Sequence, residues 1–264
     1  MRLFFIAIYS LLSTLAVAEI VETKHFCQIK DYVDEDTLLL LDIDDTLLAP
    51  QQMLGGDQWF RHRLELHLEE SMNFSHALEL AVAEWVAVRH LTQMELVEPG
   101  TETILKGLQE KGLQVMGLTA QGCSLSHRTV EHLRHHQIDL SLTAPFNTPY
   151  YYEEKDQGIL FRKGILFTSG TPKGKALFRL FDQYGYRPKK IVFVDDRESN
   201  LTDVEKEASK EGISFIGIRY GYADERKENF DPAVADIQLK NSNFHSILSD
   251  EEALLKKLDI FPEQ

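Results

Sequence analysis

Residues 37–43, "TLLLLDI", stay apolar until an acid interrupts them, and residues 190–194, "KIVFV", behave alike before "DDRESN". Unbroken apolar runs of this length suit strands buried on both faces of a parallel sheet. Between and after them the pattern switches repeatedly to helical spacing. It predicts helices over 101–111, stopped by Gly112, over 124–136, over 173–184, stopped near Gly185, and over 199–211. Further strands are predicted over 114–118 and 213–218, and "YYYEEKDQGILFRKGILFTSG" predicts extended segments around a turn at Asp156-Gln157-Gly158. Residues 19–36 are polar and irregular, with room for a short helix. The tail from Asp231 is mixed, with a helix near 250–258.

This alternation implies an α/β fold, Rossmann-like, with a mostly parallel sheet and helices on both faces. Residues 51–96 break the rhythm. There Phe60, Leu64 and Leu68, then Leu78, Val82, Trp85 and Val86, recur at helical spacing, giving two helices broken near residues 71–75. The block is too long for a βα loop. It is expected to be a small helical cap inserted after the first core strand, with the core formed by 19–50 and 97–264.

The N-terminus has a different character. One cation, Arg2, precedes an apolar run and the small residues Ala16-Val17-Ala18, the layout of a secretory leader over about residues 1–18. The expected location is therefore periplasmic or secreted, with no stable membrane span after cleavage. The apolar run is short for a span. The net charge is -14, which argues against nucleic acid or an anionic membrane surface as the main partner. The two cysteines, Cys27 and Cys123, are expected as free thiols, although export would permit a disulfide.

The chemistry lies where the apolar strands stop. In open parallel sheets, ligands bind beyond the carboxyl ends of the strands. If the two strands are neighbours, Asp42, Asp44, Asp195 and Asp196 converge there. Two carboxylates about 4 Å apart repel by on the order of 4 kcal/mol at an effective dielectric near 20. Protonation or a divalent cation relieves that repulsion. An all-oxygen donor set favours a hard ion, Mg²⁺ before Ca²⁺. Two more groups fit a phosphate: Thr119 ends the strand "VMGLT", and Lys173 opens a helix in "SGTPKGKAL".

D-x-D-x-T, a strand-end Thr, a helix-start Lys and a strand-end Asp-Asp, in that order, resemble the haloacid dehalogenase-like superfamily, its phosphatases in particular. The organisation also looks similar to an exported branch of that superfamily in intracellular bacterial pathogens. The resemblance implies a Mg²⁺-dependent phosphomonoester hydrolase acting on a small-molecule phosphoester. Asp42 would be the nucleophile that forms an aspartyl-phosphate, and Asp44 the general acid and base. Thr119 and Lys173 would bind the phosphoryl oxygens. The ion would sit on Asp42, the Asp44 backbone carbonyl, and Asp195 or Asp196, with Asp195 favoured. The alternatives are a non-catalytic binding or effector protein of the same fold, and a phosphotransferase.

Other residues carry blander expectations. Asp45 reads as a solvent-facing turn residue, and Thr46 as a support for its loop. Asn200 and Asp203 could support the acidic loop or simply cap the helix after it, and Arg197 could orient the acids. His132 and His136 have zinc-like spacing but lack an identifiable third ligand. Trp59, Trp85 and the run Tyr150-Tyr151-Tyr152 read as core.

Overall fold

The computed structural model of the protein describes residues 18–71, 73–241 and 247–260. The chain opens with β1 (Ala18–Thr23), a 3-10 turn at Phe26–Asp31, β2 (Thr37–Leu41) and β3 (Leu48–Pro50). The inserted block holds α1 (Asp57–Ser71) and α2 (Phe74–Leu91), and β4 (Met94–Leu96) leads back out. Then come α3 (Thr101–Glu110), β5 (Gln114–Thr119), α4 (Ser126–His135), and the strands β6 (Tyr150–Glu154), β7 (Gln157–Arg162) and β8 (Ile165–Phe167). The last part is α5 (Lys173–Tyr184), β9 (Lys190–Asp195), α6 (Glu198–Lys210), β10 (Ser214–Tyr220), α7 (Asp224–Glu228), α8 (Pro232–Asn241) and α9 (Asp250–Ile260). Of the expected leader, only Ala18 lies within the described residues, as the first residue of β1.

The main sheet runs β1-β10-β9-β2-β5-β8-β7-β6. The pairings from β1 across to β8 are parallel, and the β8-β7-β6 end is antiparallel. Strand alternation explains the leucine run. Leu39 and Leu41 join Val115, Val192 and Val194 on one face, where Leu105, Leu108 and Leu133 of α3 and α4 cover them. Leu38 and Leu40 join Met116, Ile191 and Phe193 on the other, under Leu177, Phe181 and Leu201 of α5 and α6. All four leucines are fully buried, each contributing about 1.5–3 kcal/mol.

The expected strands and helices fall where the periodicity places them, with ends shifted by a few residues. One reading is corrected. Residues 19–36, read as irregular, contain the edge strand β1, paired in parallel with β10 from Ala18↔Phe215 to Thr23↔Tyr220. "AEIVET" gives a weak signal because an edge strand is only half covered, and Glu19 and Glu22, three residues apart, break the two-residue alternation.

The insert is a helical hairpin on a short stem. β3 and β4 pair antiparallel, Leu48 opposite Leu96, where the chain leaves the core and returns. α1 and α2 are tied by Arg63, which donates to both oxygens of Glu84 at 2.6 and 3.0 Å. The mixed tail also has a specific place. Ala235 of α8 packs with Leu54, Trp59 and Val88 of the insert. Gln238, fully buried, accepts from the Leu54 amide at 3.0 Å and donates to Asp250 at 2.6 Å. The insert is thus braced by the C-terminal helices as well as carried on its stem.

Candidate active site

Register and alternation assemble the acids. Leu41 pairs with Val194, so the next residues, Asp42 and Asp195, leave β2 and β9 side by side. The Asp42 amide still donates to Val194 at 3.0 Å. Counted by twos, Asp42 follows Leu38 and Leu40, and Asp195 follows Ile191 and Phe193, so both face the α5 side. Lys173, the first residue of α5, stands on that side. Its ammonium lies 2.7 Å from Asp42 Oδ1 and 2.7 Å from Asp195 Oδ2. It also sits 5.4 Å from the Phe193 ring centroid.

The tight seating of α5 depends on Gly174. A Cβ there would come within 2.4 Å of the Asp203 carbonyl oxygen on α6. The Gly174 amide also donates to Asp203 Oδ2 at 2.7 Å. Gly174→Ala is expected to push the two helices apart and to destabilise the fold by about 1–3 kcal/mol in denaturant titrations. Unchanged stability would show that this approach is not constraining.

Asp42, Asp195 and Asp196 are buried, and each offers a carboxylate oxygen within 4.8 Å of the others. Their surroundings differ. Asp195 is crowded with donors: Lys173, the Arg197 amide at 2.8 Å, and Asn200 Nδ2 at 2.9 and 3.1 Å from its two oxygens. Asp196 accepts from Lys227 at 3.0 Å through Oδ2. Burial, reinforced by the neighbouring Asp195 and Asp196 charges and opposed by Lys173, pushes the Asp42 carboxyl well above the usual range. Burial and the Asp195 charge raise Asp196 as well, against Lys227 and Arg197. Hard oxygen donors with strained ionisation fit a small divalent cation such as Mg²⁺.

Asp44 is placed differently. Its carboxylate faces Arg89 of α2, with Nη2 2.7 Å from Oδ1, and Gln121, whose Nε2 donates to Oδ2 at 2.8 Å. Of the expected metal set, Asp44 therefore leaves only its backbone carbonyl available; its side chain is turned towards the insert. Gln121 is itself held by Thr129 at 2.5 Å, and its amide donates to Thr119 Oγ1 at 3.2 Å. Thr119 is fully buried at the end of β5. Arg89 and Gln121 were not singled out by the sequence. Arg89 sits in the last turn of a helix whose pattern reads as cap core, and nothing local marks it.

Asp45 corrects another reading. It is buried rather than solvent-facing, with a left-handed backbone at φ 57°. Its carboxyl is pushed up to about 7, first by burial and then by Asp196, Asp44 and Asp57, with Lys227 pulling it down. Between an unfolded value near 3.8 and about 7, the folded chain binds the extra proton, so stability falls as pH rises through that interval. Without divalent metal, the protein is expected to be more stable near pH 5 than near pH 8, with Asp45 contributing about 2.5 kcal/mol of the difference. Asp45→Asn should reduce this slope by the Asp45 share in chemical denaturation, leaving the part that Asp42 and Asp196 contribute. An equal slope in the variant would remove Asp45 from the account.

The remaining candidates separate cleanly. Asn200 supports Asp195, and Asp203 seats Gly174. Arg197 pairs with Asp57 at the start of α1, and burial opposed by that acid leaves its pKa raised. Lys175 is half exposed and pairs with Glu154 at 2.5 Å. His136 meets the Met94 carbonyl at 2.8 Å, and burial lowers His132 to about 4. Among the described residues, the cluster able to hold an ion is the aspartate triad. Trp59 is core, whereas Trp85 lines the cavity. Cys27 and Cys123 are free.

Asp42 and Asp196 of the triad line the floor of a cavity of about 1130 Å³ between the sheet and the insert, lined also by Thr119, Lys173 and α2, with Asp195 fully buried behind them. No helix among the described residues is long and apolar enough to cross a membrane.

A protein from Chlamydia pneumoniae named "Putative outer membrane protein" is 31% identical over 236 residues, covering 85% of each chain. An uncharacterised protein of Rickettsia prowazekii is 26% identical over 202 residues, covering 71% of this chain and 70% of the other. Among solved structures, a HAD-superfamily hydrolase of Geobacter sulfurreducens aligns with TM-score 0.40 at 14% identity, over 72% of this chain and 95% of that one. A HAD family enzyme of Bacteroides thetaiotaomicron, in complex with magnesium and inorganic phosphate, aligns with TM-score 0.36 at 16% identity, over 68% and 92%. A family model described as "Protein of unknown function (DUF2608)" matches residues 22–254. The chain belongs to that DUF2608 family.

Proposed function

We propose that the protein is an exported, Mg²⁺-dependent phosphomonoester hydrolase of the haloacid dehalogenase-like superfamily. The observation that carries this reading is the buried Asp42–Lys173–Asp195 array, with Asp196, at the carboxyl ends of two adjacent parallel strands and open to a cavity. A buried lysine between two acids neutralises part of the charge and leaves enough to hold a cation. The names of the chlamydial relatives support export.

Asp42 is the nucleophile. Its oxygen attacks phosphorus, the bond to the leaving alcohol breaks, and an aspartyl-phosphate results. Lys173 and Thr119 stand where phosphoryl oxygens would be bound, and the ammonium offsets the developing charge. Asp42, Asp196 and the Asp44 carbonyl would hold Mg²⁺; when bound, it supplies further neutralisation of the phosphoryl group. Asp196 suits direct ligation better than Asp195, whose two oxygens already accept three donors. Asp44 protonates the leaving oxygen and then takes a proton from the hydrolytic water. Arg89 holds the Asp44 carboxylate at 2.7 Å, so that contact has to open for Asp44 to reach the leaving oxygen.

The test is phosphate release from a chromogenic phosphomonoester, with Mg²⁺ and with excess chelator. Mg²⁺-dependent release is expected. Inactivity over a broad panel of phosphoesters would point instead to a binding protein of this fold.

A further inference from the structure

We infer that the alcohol portion of the phosphoester is an elongated, flexible apolar group lying along the inner face of α2, an inference that rests on the phosphatase reading.

α2 carries two apolar stripes. Ala77, Ala81 and Val88 are buried within the folded protein. Phe74, Leu78, Val82, Trp85 and Val86 form the other, and these line the cavity. The second stripe is not sealed by protein: Phe74 is 59% exposed and Val82 41%. Its Trp85 end lies one turn from Arg89, which holds Asp44, and its Phe74 end is open to solvent. At 1.5 Å per residue, the stretch from Trp85 to Phe74 spans about 16 Å. A phosphoryl group on Asp42 would leave nearly all of that length to the alcohol. The cavity exceeds the volume a compact metabolite needs.

Two observations favour an aliphatic chain over a sugar or a nucleobase. Among the lining residues outside α2, Glu154 is the acid away from the floor, and Lys175 and Arg179 already hold its carboxylate at 2.5 and 2.6 Å, so it is poorly placed to select hydroxyls; the uncharged polar groups there include Ser124, Gln157 and Ser169. Trp85 is not a free stacking platform. Its indole N–H donates to Gly55 at 2.9 Å, Arg89 lies 5.1 Å from the ring centroid, and Phe60 abuts it edge-on. The surface along the stripe consists of Leu78, Val82 and Val86, with Phe74 at its exposed end and Ser75 and Glu79 of the same helix flanking it.

The experiment uses the full Mg²⁺-loaded protein. Binding of methyl-, butyl-, hexyl- and octylphosphonate is measured by calorimetry, alongside hydrolysis of the matching alkyl phosphates. Full burial of a methylene corresponds to about a fourfold gain, so on this half-open wall affinity should rise about two- to fourfold per methylene. In Val82→Asp, a substitution at an exposed position that should leave folding intact, the octyl-to-methyl affinity ratio should fall towards one. A flat series in the wild type, or glycerol phosphate preferred to butyl phosphate, overturns the inference. If Mg²⁺-dependent hydrolysis persists in that case, the phosphatase reading stands without it. Absence of both phosphonate binding and hydrolysis overturns the two together.

Discussion

Asp42→Asn is expected to abolish Mg²⁺-dependent phosphate release, by on the order of 10⁴-fold or more, in a protein that remains folded. The amide cannot form the acyl-phosphate link, and no other described carboxylate occupies the same place. Asp44 faces Arg89 and Gln121, and Asp195 is filled by Lys173, Asn200 and an amide. Folding should survive, because Lys173 keeps Asp195 at 2.7 Å. The lost Lys173 contact is balanced by reduced crowding, since Asp42 is a group whose ionised form burial and two neighbouring acids disfavour. The metal-free variant should therefore unfold within about 1 kcal/mol of wild type. Mg²⁺ should raise its denaturation midpoint less than it raises that of wild type. Activity within about tenfold of wild type would show that Asp42 is not the nucleophile.

The largest stability loss is expected for Lys173→Met. Lys173 is 3% exposed and keeps its proton despite burial, because Asp195 and Asp42 hold its pKa raised. Removing it leaves three buried carboxylates facing one another. Losing one partner of a buried ion pair costs about 3–5 kcal/mol, and activity should disappear with it. Divalent cation should return part of the lost stability, because it replaces positive charge at the same place. Lys175→Met, two residues on, is the control: half exposed and paired at the surface, it should change stability by less than about 1 kcal/mol. Equal losses in the two variants would mean that the charge array does not organise this end of the sheet.

The parts legible in the sequence are those where local pattern and tertiary role agree. The leucine run shows a doubly covered strand because every one of its side chains meets a helical layer. The helix opened by Lys173 shows itself through its apolar face and the left-handed Gly185 after it, at φ 58°. The meeting of "LDID" with "VDD" follows from strand adjacency, which order along the chain suggests and register fixes. Three features were hidden. β1 lacks contrast because it is an edge. Asp45 looks like any turn acid, and its burial comes from the insert and α7 closing around it. The Arg89–Asp44 contact joins residues from separate units, and a lone arginine near a helix end carries no sign of its partner.

The bracing of the helical hairpin by α8 and α9 makes that unit discontinuous in sequence. Exchanging residues 51–96 alone with those of a relative would leave Ala235 facing foreign side chains and would leave Gln238 dependent on the new block presenting the residue-54 amide at the same place. A workable graft would have to carry residues 232–260 with it. Inherited variation in substrate choice would then register as paired changes in the middle and at the far end of the chain.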